Sequence, residues 1–225
     1  MQLKNNYKII LIFLTTLSFS SFILGYFFGE NSSGAGTYTG DFKHIWKNLQ
    51  IFLNNDTLSA INNPAYDDSR TPLAYILHKF FNPFIDSRDS YRNSVFIISL
   101  AVPVLFYICL KKKFNNLNSL LLISISSIIF LSPYYRTTSY WGLNENYGII
   151  FLLLTYLFLN SFLENRRQLN YKTYTNLFLT VFFSSLCLYF DQKLIIIPII
   201  CFFIIILKNK EIKLMLFSIF IYSLL

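Results

Sequence analysis

The chain has 225 residues, of which 54% are hydrophobic, 19% aromatic and only 13% charged, with a formal net charge of +8. That is too apolar and too sparsely charged for a water-soluble domain of this size, and it indicates an all-α, polytopic helical membrane protein. The basic excess lies at the ends of apolar runs, where membrane proteins keep it, so the charge implies a lipid bilayer and no nucleic-acid partner.

In chain order, apolar runs predict spans at about 9–28, 94–110, 117–133, 147–163, 174–190 and 194–207, with a last run from 214 to 225. These make about seven transmembrane helices in a single transmembrane domain over 1–225, several of them short against the roughly 20 residues a crossing needs. Residues 174–207 are too long for one straight span, and Asp191-Gln192-Lys193 interrupt them, so a hairpin is expected at Asp191. The first run is longer than the apolar core of a signal peptide and no clear small-residue cleavage site follows, so it reads as an uncleaved span. Cys109, Cys187 and Cys201 all fall within apolar runs without CxxC spacing, and read as small buried hydrophobes rather than metal or disulfide partners.

Charge orients these spans. With the N-terminus cytoplasmic, each short inner segment is basic: Lys4 and Lys8, Lys111 to Lys113, Arg166, Arg167 and Lys172, and Lys208, Lys210 and Lys213, against only Glu164 and Glu211. Most of the remaining acids lie on the other side, in one long outer loop, 29–93. Its start, ENSSGAGTYTG, is flexible in composition. DFKHIWKNLQIFL then places Phe42, Ile45, Trp46, Leu49, Phe52 and Leu53 at helical spacing, which predicts an amphipathic helix at 41–53 lying on the membrane surface. A second is expected at 72–81, with Thr71 as cap, Pro72 at the first helical position, and Leu73, Ile76, Leu77, Phe80 and Phe81 as its apolar stripe. His44 and His78 fall on the polar sides of these helices, without a second ligand at metal-binding spacing, and read as surface histidines.

The stretch YYRTTSYWGLNENYG, from Tyr134 to Gly148, crowds polar and aromatic residues between two apolar runs. Under this topology Asp41, Arg70, Arg136, Glu145, Asp191 and Lys193 all lie at the outer surface. Each also has a plain structural reading: Asp41 as the N-cap of a helix, with Gly40 before it, Glu145 as a solvated residue before a span, Asp191 and Lys193 as charges that must stay outside the hydrocarbon.

The arrangement resembles the C-type fold of membrane glycosyltransferases, a group that includes protein mannosyltransferases and lipid A aminoarabinose transferases. The similarity rests on GTYTGDFKHIW after the first span and on LSPYYRTTSYWGLNENYGIIFLLLTYLF before the fourth. It implies transfer of a sugar from a polyprenyl-phosphate carrier to a glycan, lipid or protein acceptor on the outer face. It makes Asp41 and Glu145 the catalytic carboxylates, Asp41 acting on the acceptor hydroxyl and Glu145 orienting sugar or acceptor hydroxyls or helping to hold a divalent ion. Arg136 and Lys193 would hold the leaving phosphate, with Asp191, Arg70, Tyr135 and Trp141 as further substrate-binding residues. A divalent cation is the one cofactor this leaves open. Asp41 is followed by Phe42 where many members carry two adjacent acids, and the chain ends at IFIYSLL where the family continues, so an incomplete C-terminus is expected. The membrane is expected to be a bacterial inner membrane, with the endoplasmic reticulum as the alternative. The rival function is a transporter, flippase or scaffold of envelope glycan assembly; the spans hold Pro103 and Pro198 but essentially no charges.

Overall fold

The structure is a computed structural model that describes residues 2–34, 36–68, 71–166, 170–208 and 211–225, with side chains from Asn6 onward. Among the described residues every regular element is helical. Where the sequence suggests one domain, the chain divides into two compact units, Met1–Asn146 and Tyr147–Leu225.

Unit 1 opens with α1 (Gln2–Phe27), whose segment Asn6–Phe27 is long and apolar enough to cross a membrane. The outer loop carries α2 (Asp41–Asn54), the short α3 (Thr57–Ile61) and α4 (Leu73–Phe81). A second membrane-length segment, Arg88–Lys113, comprises α5 (Arg88–Ser99), capped by the Ser87 hydroxyl, and α6 (Ala101–Lys113). The join between them follows from Pro103. Proline has no N–H to offer the Ser99 carbonyl one turn earlier, so the helical bond at that point cannot form. The released Ser99 oxygen instead accepts a hydrogen bond from the Tyr135 hydroxyl at 2.6 Å.

The 117–133 run is likewise not a straight span. It forms α7 (Ser119–Ser127), capped by Asn118, continues as a 3₁₀ turn over Ile128–Leu131, and meets α8 (Pro133–Tyr140) at a bend of 71°. Pro133 causes the bend: it pushes Ser132 into an extended conformation (ψ 120°), and the Ser132 hydroxyl then caps α8 by accepting from the Tyr135 amide.

Unit 2 holds most of α9 (Glu145–Asn165), then α10 (Tyr171–Phe190), α11 (Ile196–Lys208) and α12 (Ile212–Leu224). Phe162, Leu177, Val181, Ile205 and Leu214 form its core. Two polar contacts add to it: the Ser184 and Tyr222 hydroxyls pair at 3.0 Å, and Tyr222 reaches the Pro198 carbonyl at 3.3 Å. Among the described residues, four helical segments have the length and apolarity for a crossing, or five with the bent pair, which fits a multi-pass helical membrane protein. At 1.5 Å per residue the 13 residues of α11 or α12 reach only ~20 Å, against a hydrocarbon core of ~30 Å.

The outer-loop helices differ from the expected pair of membrane-surface helices. The stripe of α2 is buried in protein: Phe42, Leu49 and Phe52 are fully enclosed, Ile45 and Trp46 nearly so, and Phe42 and Trp46 face the Tyr91 ring of α5. In α4 the buried face is Ala74, Tyr75 and His78, while Phe80 and Phe81, from the expected stripe, point outward. The reason is that Tyr75 brings more apolar area than its polarity suggests. Its ring stacks on Phe52 at 5.4 Å and its hydroxyl bonds to Asp68, so it satisfies both needs of a buried tyrosine. Pro72 precedes α4 as its N-cap residue without any side-chain capping bond.

Candidate functional site

All twelve residues from Tyr135 to Asn146 are buried. The polar gap between the apolar runs is therefore interior, and most of its polar groups find protein partners. The Arg136 guanidinium is central. Its Nε donates to Glu30 Oε1 at 2.8 Å and its Nη2 to Glu30 Oε2, while the remaining donors reach the Ser21 hydroxyl and carbonyl and the Phe130 carbonyl at 3.0–3.1 Å. A bidentate carboxylate and three further acceptors fill the fork of this side chain. Arg136 thus joins α1, the start of the outer loop, the 3₁₀ turn and α8.

Neighbouring donors do the same. Tyr140 donates to the Phe22 carbonyl at 2.6 Å, Trp141 Nε1 to the Glu30 carbonyl at 2.8 Å, and Tyr91 to the Gly142 carbonyl at 3.1 Å. Arg92 donates to the Tyr140 and Tyr26 carbonyls and stacks over the Tyr26 and Trp141 rings, 4.4 and 4.3 Å from their centroids. Trp141 is also wrapped by the outer loop. A Cβ built on Gly29 would lie about 4 Å from its ring, and one on Gly36 would fall well inside contact distance of the indole. The Ser33 amide donates to the Thr137 hydroxyl at 3.0 Å.

Asp41 sits at the edge of this assembly. It is the first residue of α2, and it is exposed. Phe42 beside it is fully buried, with its ring 6.2 Å from both Tyr91 and Trp141 and close enough to Gly142 to touch a Cβ built there. The start of α2 is thus fastened to the turn that leads into Asn144, Glu145 and Asn146. Just before it, Thr37 adopts φ 91°, a left-handed conformation unusual for a β-branched residue, and sets the turn from which Tyr38 reaches Asp89.

The structure therefore gathers Tyr135, Arg136 and Trp141 into one interior cluster, leaves Asp41 exposed at its rim, and buries Glu145 at the start of α9. Asp191 and Lys193 lie in unit 2, at the turn after α10. There the Asp191 carboxylate accepts from the Lys193 amide at 3.0 Å and caps the turn, and the Lys193 side chain is exposed. Gly148 leaves room for this turn, since a Cβ there would lie 3.0 Å from the Asp191 Cβ. Arg70 lies outside the described residues. Among the described residues no three His, Cys, Asp or Glu side chains are grouped to hold a metal ion.

Glu30, Arg92 and Tyr26 go unmarked in the sequence, and His78, which reads there as a surface histidine, is buried. Glu30 had one available signal, as the lone acid immediately after the first span. His78 gave none: it is buried, with Nδ1 3.0 Å from the Asn82 amide nitrogen and its ring 4.8 Å from Tyr91, and not at the surface as its helical phase suggests. Burial pushes its imidazole down from 6.5 to about 4. Its folded-state value is thus below its unfolded value, so the unfolded chain takes the proton first as pH falls. Stability should be lost between about pH 6.5 and 4, and His78→Gln should flatten that part of a denaturation-versus-pH curve. An unchanged slope would place His78 in contact with water.

No family model, curated protein or solved structure matches the chain.

Proposed function

We propose that the chain is a membrane glycosyltransferase that moves a sugar from a polyprenyl-phosphate carrier to an acceptor at the outer face, with Asp41 as its base. The observation that carries this reading is the placement of Asp41: an exposed carboxylate on a rigidly fastened helix start, beside a buried polar turn. In the proposed step Asp41 takes the proton of an acceptor hydroxyl as its oxygen attacks the anomeric carbon. The bond from that carbon to the phosphate oxygen breaks, and the phosphate leaves with the electron pair. In this reading Arg136, paired with Glu30, serves to hold α8 in place rather than to bind that phosphate. The reading keeps about seven crossings, counting α11 and α12 as short ones, and a cytoplasmic N-terminus in a bacterial inner membrane.

The bent pair α7 and α8 favours a second reading, a carrier or flippase, because broken helices line substrate sites in transporters. One experiment separates the two. In membranes supplied with polyprenyl-phosphate sugars, Asp41→Asn keeps the shape and removes the charge, and should lower transfer by about 10²–10⁴-fold while leaving lipid translocation unchanged. Full transfer by Asp41→Asn would sink the catalytic reading, and loss of translocation alone would support the carrier.

A further inference from the structure

Away from the outer loop, unit 1 contains a cavity of about 300 Å³ between α1, α6 and α7, lined by Phe19, Pro103, Val104, Tyr107, Ile123 and Phe130, with Thr15, Ser126 and Ser127. Thr15 and Phe19 flank the midpoint of the membrane-length segment Asn6–Phe27, so a bilayer crossed by this segment would place this wall of the cavity near its centre. Its wall is less polar than its residue names suggest. Thr15 Oγ1 donates to the Leu11 carbonyl and pairs with Ser124 Oγ, both at 2.8 Å. Ser126 and Ser127 donate to the Ile123 and Ser124 carbonyls, also at 2.8 Å. With these hydroxyls turned back onto their own helices, the wall they form offers hydrocarbon; Tyr107, the other hydroxyl-bearing residue, is only partly buried. The cavity is open on the side where Val104 is 57% and Phe19 45% exposed. Pro103, just after the α5–α6 join, forms part of its wall.

We infer that this groove holds the terminal part of one acyl chain of a bilayer phospholipid. At that depth the surrounding medium is hydrocarbon, and a groove whose Thr15, Ser126 and Ser127 hydroxyls are already bonded, leaving Tyr107 at its partly exposed side, favours an apolar occupant over a polar one. The most abundant hydrocarbon in reach is the acyl-chain end, which arrives at the bilayer centre from either leaflet. This inference does not depend on the glycosyltransferase reading.

The test uses the whole chain in phosphatidylcholine vesicles containing phosphatidylcholine spin-labelled near its acyl terminus. The wild type should show a motionally restricted component. Val104→Trp, which fills the groove from a position already more than half exposed, should remove it. Ile97→Trp, at an outward site 63% exposed, should leave it in place. Val104→Ala, which widens the groove without adding bulk, should retain it. Equal restriction in the two tryptophan variants would mean ordinary boundary lipid and overturn the proposal. So would displacement of the component by a polyprenol but not by excess unlabelled phosphatidylcholine, which would assign the groove to an isoprenoid chain.

Discussion

Arg136→Ala should destabilise the protein by about 3–5 kcal/mol, the range for breaking a buried ion pair from one side. The effect is large because the substitution leaves several groups without partners at once. Glu30 keeps a charge with a side chain only 33% exposed, and the Ser21 and Phe130 carbonyls each lose a charged donor. Glu30→Gln should cost less, because an amide can still accept one of the two guanidinium bonds and the side chain is partly solvated. The double variant Glu30→Gln/Arg136→Ala should cost less than the sum of the single ones, since the pair acts as a unit. Additive losses in thermal or denaturant unfolding of the detergent-solubilised protein would show that the two side chains do not meet.

Gly36→Ala should give the second largest loss, about 1–3 kcal/mol or more, because the added methyl group overlaps the Trp141 ring. The neighbour cannot easily yield. Trp141 is 4% exposed, its Nε1–H is bonded to the Glu30 carbonyl and its ring carries the Arg92 guanidinium. Moving the indole would therefore also weaken the stack with Arg92. Gly34→Ala is the comparison: a Cβ there meets nothing within 4 Å, so its cost is only that of its φ of 79°. A smaller loss for Gly36→Ala than for Gly34→Ala would show that the loop does not wrap Trp141.

How far the sequence discloses this arrangement depends on the range of the interaction. The long apolar helices, the turn at Asp191 and the helix beginning at Asp41 follow from runs, caps and spacing that act within a few residues. The partner of Arg136 does not, because Glu30 lies 106 positions away and nothing local to YYRTTSYWG points to it. Periodicity also marks the apolar side of α2 without showing whether lipid or protein covers it. In α4 it gives the wrong side, because Tyr75 and His78 count as polar by type although their partners Asp68 and Asn82 allow them to be buried. Pro103 and Pro133 are visible in the sequence as helix breakers. That the first break releases a carbonyl for Tyr135, next to the second, depends on tertiary packing.

Tyr135–Asn146 forms an interior tie beside an exposed Asp41, rather than a solvent-facing wall of ligands. This arrangement is tested most directly by thiol accessibility in detergent micelles, with Ser139→Cys and Asp41→Cys placed in turn in a background lacking Cys109, Cys187 and Cys201. Ser139 is fully buried and Asp41 is exposed. A bulky water-soluble maleimide should therefore label Asp41→Cys rapidly, and Ser139→Cys only once the protein is denatured. Rapid labelling of Ser139→Cys in the folded protein, at a rate close to that of Asp41→Cys, would contradict the account and return the polar stretch to the role of a wet active face.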